Sequence, residues 1–128
     1  MEKEQFTDDL RRFILTSVPS VPYLEAILLM RGDPSACWDA AKVAARLYVP
    51  QAHAAALLQA LQAAGIATDD GARGTGHRYQ PAQQLDQLLD RIARLYSTDL
   101  LAVTELIHSR IDKRARQFGD AFRWRKAP

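Results

Sequence analysis

Three histidines, one cysteine and one glycine-rich hexad are the residues of this chain whose types could do chemistry. His53, His77 and His108 could ligate metal or move protons, and Cys37 could act as a nucleophile. Their spacing supports neither. No two histidines form an H-x-x-x-H pair and Cys37 has no second cysteine, so a zinc site would need ligands gathered from distant segments. Cys37 reads as a small core residue beside Trp38. The run Gly71-Ala72-Arg73-Gly74-Thr75-Gly76 looks at first like a phosphate loop. It lacks the Gly-Lys-Ser/Thr ending, and a strand pattern follows it where a helix should. Acidic residues stand singly or in surface pairs, Asp8-Asp9 and Asp69-Asp70, without the apolar setting that would tune a carboxyl for proton transfer. The expectation is a protein that is not an enzyme and holds no metal or cofactor.

Charge offers a second kind of chemistry. The 128 residues carry a net charge of +2, with 48% apolar and 25% charged residues, a globular composition. The balance is uneven. Residues 1–109 hold ten Lys and Arg against thirteen Asp and Glu, whereas residues 110–128 hold seven against two. All the excess positive charge therefore belongs to the C-terminal segment. It could attract phosphate, or simply complement the dipole of a solvated terminal helix. Within it, Arg123, Trp124, Arg125 and Lys126 mix an indole with cations and are candidate contacts to phosphate or to a partner. The opening residues MEKEQFTDDLRR are charged throughout, unlike a signal peptide. The best apolar run, Tyr23 to Met30, falls far short of the roughly 20 residues a bilayer requires. With a single cysteine and no span, the expected setting is the cytoplasm, with no membrane partner.

These residues must be positioned by helices, mostly. Thr7 or Asp8 can cap a first helix to about Thr16, with Phe6, Leu10, Phe13 and Ile14 on one face. Ser20 can cap a second, with Pro22 in its first turn and Val21, Leu24, Ile27 and Leu28 as its stripe, ending at Arg31-Gly32-Asp33-Pro34. Ser35 to Trp38 is short and extended. Asp39 then caps Ala40 to Leu47, Tyr48-Val49-Pro50 turns, and Pro50 opens a helix to Ala64 whose inner face is Ala54, Leu57, Leu58 and Leu61. Gly65 follows as a left-handed cap. Ile66-Ala67-Thr68 and His77-Arg78-Tyr79-Gln80 are short strands around a flexible tip. From Pro81, Leu85, Leu88, Leu89, Ile92, Leu95 and Tyr96 recur at helical spacing. The pattern continues through Leu100, Val103, Ile107 and Ile111, with Ser97-Thr98-Asp99 as a kink or a fresh start. A last helix, about Lys113 to Phe122, carries Phe118 and Phe122.

Trp38 to Leu47, the Val49-Pro50 turn, Leu57, Leu58, Leu61 and Gly65-Ile66, and the Gly71 to Arg78 tip together resemble the bacterial winged helix-turn-helix superfamily, broadly the MarR-like small regulators. Lys42 or a neighbour stands where such a first helix usually has Glu. The resemblance covers about 60 residues, Val21 to Gln80, and the flanking helices only loosely. It implies a mainly α fold with a small β-hairpin: an N-terminal helical extension over residues 1–19, a winged helix over 20–80, and a C-terminal helical region over 81–128 for oligomerisation or docking. It also implies a transcriptional regulator that binds double-stranded DNA as a homodimer, paired through the helices after Pro81. Gln51, His53 and Gln59 would then face base edges from the recognition helix. Arg73, His77 and Arg78 would reach the backbone or minor groove from the wing.

One physical fact opposes that reading. Phosphate contacts from Lys and Arg supply most non-specific DNA affinity. From Asp39 to Gln80 the cations are Lys42, Arg46, Arg73 and Arg78 against Asp39, Asp69 and Asp70, and the helix from Pro50 to Ala64 carries none. The alternative is a winged-helix module that docks on a protein and binds little or no DNA.

Overall fold

A computed structural model describes residues 5–70 and 76–109. Those residues form six helices and one two-stranded antiparallel sheet, so the chain is mainly α with a small hairpin. The elements are α1 (Asp8–Ser17), α2 (Val21–Arg31), α3 (Ala40–Leu47), α4 (Gln51–Ala63), β1 (Ala67–Asp70), β2 (Gly76–Tyr79), α5 (Gln83–Thr98) and α6 (Leu100–Ser109). They fall into two compact units, one spanning Pro22–Ala93 and one drawn from the described parts of 1–21 and 94–128. No single described helix is long and apolar enough to cross a membrane.

The unit over Pro22–Ala93 packs α3 against α4, and α4 against the hairpin strand β1. On α2 Tyr23, Leu24, Ala26, Ile27 and Met30 are buried, positions i, i+1, i+3, i+4 and i+7 that make one broad face, wider than the stripe the spacing marks. Leu28 is only half-buried. Asp39 caps α3: its carboxylate accepts from the Lys42 N–H at 2.8 Å, satisfying one of the helix's orphan donors. Tyr48 ends α3 in the left-handed region at φ 57 and turns the chain into Pro50, which opens α4. Ala54, Leu57, Leu58 and Leu61 are buried, the set that the spacing predicts. At the other end Gly65 takes φ 77. Its N–H reaches Gln62 O at 3.1 Å while the Ile66 N–H reaches Leu61 O at 3.0 Å, and Ile66 and Leu61 are both buried. That pairing is a Schellman stop, which fixes the direction in which α4 delivers the chain to the hairpin.

In the hairpin Ala67 pairs with Tyr79, Thr68 with Arg78, Asp69 with His77 and Asp70 with Gly76. β1 thus continues through Asp69 and Asp70, which the sequence assigns to the tip; pairing with Gly76 and His77 holds them extended. Trp38 adds a single rung on the other edge of β2. Its N–H and C=O exchange 2.7 Å hydrogen bonds with His77, so β2 is bonded on both sides there.

This unit also runs past the boundary at residue 80. Tyr79 donates its hydroxyl proton to Asp86 Oδ1 at 2.8 Å, and Arg31 pairs with Asp90, so the first turns of α5 are tied to the hairpin and to α2. In the other unit, Leu10, Ile14 and Val18 are buried, as are Leu95, Val103 and Ile107. α5 stops at Thr98 and α6 starts at Leu100, so Ser97-Thr98-Asp99 marks a fresh start. The helix expected from Lys113 to Phe122 lies outside the described residues.

Candidate functional site

Packing leaves the outer surface of α3 and α4 open. α4 buries four residues and exposes Gln51, Ala52, His53, Ala55, Ala56, Gln59, Ala60, Gln62 and Ala63. That face has no charge. Ala41 of α3 is exposed too and shares a cleft with α4, so small apolar side chains recur across both helices. Tyr48 stands in the turn between them at 95% exposure, the most exposed of the large hydrophobic residues described. It makes no contribution to the core and sits in a backbone region that costs a non-glycine residue about 1–2 kcal/mol.

The predicted site residues do not act as one group. Gln51 and Gln59 line a cleft of about 380 Å³ with Asp39, Ala55, Leu58 and His77. His53 is exposed but does not line it. Arg78 is exposed and hydrogen-bonds Gln80 Oε1 at 3.2 Å. His77 departs from its expected place on the wing surface. Its side chain is 8% exposed, with Nε2 2.7 Å from Gln62 Oε1. The cause is strand alternation: Arg78 points outward, so His77 points to α4. Arg73, Arg123, Trp124, Arg125 and Lys126 lie outside the described residues.

The cations of α3 sit on its other flank. Lys42 donates from Nζ to the Cys37 carbonyl at 3.3 Å, and the Arg46 guanidinium lies 5.9 Å from the centre of the Trp38 ring. With Cys37 and Trp38 they line a separate cleft of about 300 Å³. A third, of about 580 Å³, lies over Arg31, Tyr79 and Asp86. Burial pushes the Tyr79 hydroxyl well above the usual tyrosine range, and its hydrogen bond to Asp86 and the carboxylate charge push it further. Burial alone raises Tyr23. Among the described residues, no three His, Cys, Asp or Glu side chains gather as a metal site.

Two members of this surface escape sequence reasoning. Gln62 lies three residues beyond Gln59, yet nothing local shows that its amide meets His77. Tyr48 carries a usable signal, since a tyrosine between a helix end and Val49-Pro50 has no periodic partner. Comparison with protein-family models, with curated proteins and with solved structures gives no match.

Proposed function

We propose that the chain is a winged-helix module that docks on a protein through the outer surface of α3 and α4. The order helix, turn, helix, hairpin supports the winged-helix reading, with α4 in the place of the recognition helix. The observation that carries the protein partner is the uncharged face of α4. A duplex presents a dense row of phosphates and rewards Lys and Arg. Here α4 offers alanine and amides, while Lys42 and Arg46 are turned to the other flank of α3. Exposed Tyr48 fits the same partner, because tyrosine is enriched among interface residues that dominate binding. Extract passed over immobilised full-length protein tests this. Ala56→Glu should abolish capture of a partner that the parent retains, and a partner retained equally by both would refute it.

The second reading is a DNA-binding regulator acting as a dimer. Exposed Gln51, His53 and Gln59 favour it, because amide and imidazole groups can read base edges. In that reading Arg78, and the basic residues of 110–128, supply the phosphate contacts. Leu100 and Leu101, exposed at 53% and 67% on α6, are the apolar surface that a pairing through the helices after Pro81 would cover. The two readings part on one substitution pair. Ala56→Lys with Ala60→Lys strengthens duplex binding if α4 meets DNA and abolishes partner capture if it meets protein.

A further inference from the structure

Lys42 and Arg46 stand one turn apart on α3, so two like charges share one face of the helix. That arrangement costs a helix stability unless an anion answers it. Among the described residues no carboxylate pairs with either cation. Both charged groups are instead held at the cleft of about 300 Å³ that they line. Lys42 Nζ donates to the Cys37 carbonyl at 3.3 Å, and an ammonium has further donors beyond that bond. The Arg46 guanidinium, a fork of five donors, lies against the Trp38 ring.

The rest of the lining says which anion fits. Asp33 is the one acid among the described lining residues, and its carboxylate accepts from Ser35 Oγ at 3.2 Å. Two cations against one acid leave a single net positive charge, the complement of a monoanion. The remaining walls, Ala36, Cys37, Trp38 and Ala45, are apolar. A bare phosphate would leave those walls uncovered, and its second negative charge would meet Asp33. A carboxylate on an apolar body answers both, since small-ligand sites combine apolar walls with a few polar groups that fix orientation. We propose that this cleft binds a small organic monocarboxylate, its charge held by Lys42 and Arg46 and its apolar body set against Ala36 and Ala45. The cleft is separate from the surface assigned to protein docking, so the proposal stands apart from that reading.

Cyclohexanecarboxylate titrated into isotope-labelled full-length protein tests it by NMR. The Trp38 indole N–H and the Lys42 and Arg46 side-chain signals should shift and saturate, with an affinity on the order of millimolar for so small a probe. Acetate has the charge without the body, and cyclohexanecarboxamide has the body without the charge. Each should bind about fivefold more weakly or worse. Lys42 and Arg46 are exposed, so Lys42→Gln and Arg46→Gln keep the fold, and each should weaken the acid about fivefold. Inorganic phosphate and duplex DNA should leave the cleft signals unmoved. Equal binding of acetate or of the amide, saturation by phosphate or DNA, or indifference to both substitutions would overturn the proposal. Tighter binding of N-acetyl-glutamate amide than of cyclohexanecarboxylate would give the cleft to an acidic side chain of a protein, and would overturn it too.

Discussion

Cys37 Sγ stands where a Cβ on Gly76 would have to go. The contact sits beside the Trp38–His77 rung, so it joins the extended piece before α3 to the first residue of β2. Gly76→Ala should destabilise the protein by about 1–3 kcal/mol through overpacking. Cys37→Ala removes the obstructing sulfur, so the double variant should recover much of that loss. Urea titration of the two single variants and the double variant measures the coupling, and strict additivity would contradict the contact.

Tyr79 links stability to alkaline pH. Its hydroxyl is raised above the ordinary value of 10.0 in the folded protein, first by burial and then by Asp86. The folded state therefore holds the proton where the unfolded chain releases it. The sign follows: stability from this group is present below pH 10 and falls as pH rises beyond it. Tyr79→Phe should cost about 1 kcal/mol at neutral pH for the lost hydrogen bond and should flatten the alkaline decline. Some decline should persist, because burial raises Tyr23 as well. Denaturation midpoints from pH 8 to 11 report both effects.

Tyr48 sets stability against binding. At φ 57 and almost fully exposed, it gains nothing from packing. Asn tolerates the left-handed region better, so Tyr48→Asn should raise stability by about 0.5–1 kcal/mol, read from thermal unfolding. Under the docking proposal, which puts this aromatic on the contact surface, the same variant should lose partner capture.

Leu100 and Leu101 bear on self-association. Both are exposed near the start of α6. Leu100→Glu with Leu101→Glu should leave the far-ultraviolet dichroism unchanged and shift a dimer to monomer in sedimentation velocity. An unchanged sedimentation coefficient in a dimeric protein would remove α6 from the interface.

Much of the helical frame is legible in the residues themselves, for local reasons. Asp39 before Ala40, Pro50 before Gln51 and Gly65 after Ala64 are start and stop signals that act within one turn. Ala54, Leu57, Leu58 and Leu61 declare the inner face of α4 by spacing alone. What sequence cannot show is pairing at a distance. The Trp38–His77 rung joins residues far apart in the chain, and that rung, with the alternation along β2, turns His77 inward. Arg31–Asp90 likewise binds α5 to a unit that composition would end at residue 80. The candidate site follows the same division. Exposure of Gln51, His53 and Gln59 was readable, whereas the cleft that gathers Gln51 and Gln59 with Asp39 and His77 was not.

The central claim is that α4 presents a surface for protein and not for DNA. A titration of fluorescent duplex DNA with full-length protein at about 150 mM salt, where non-specific phosphate contacts are weak, tests it most directly. The expected result is binding no tighter than about 1 μM, unaffected by Gln51→Ala or Gln59→Ala, the level of non-specific attraction. Tight, saturable binding that weakens with either substitution would place α4 in the groove and contradict the account.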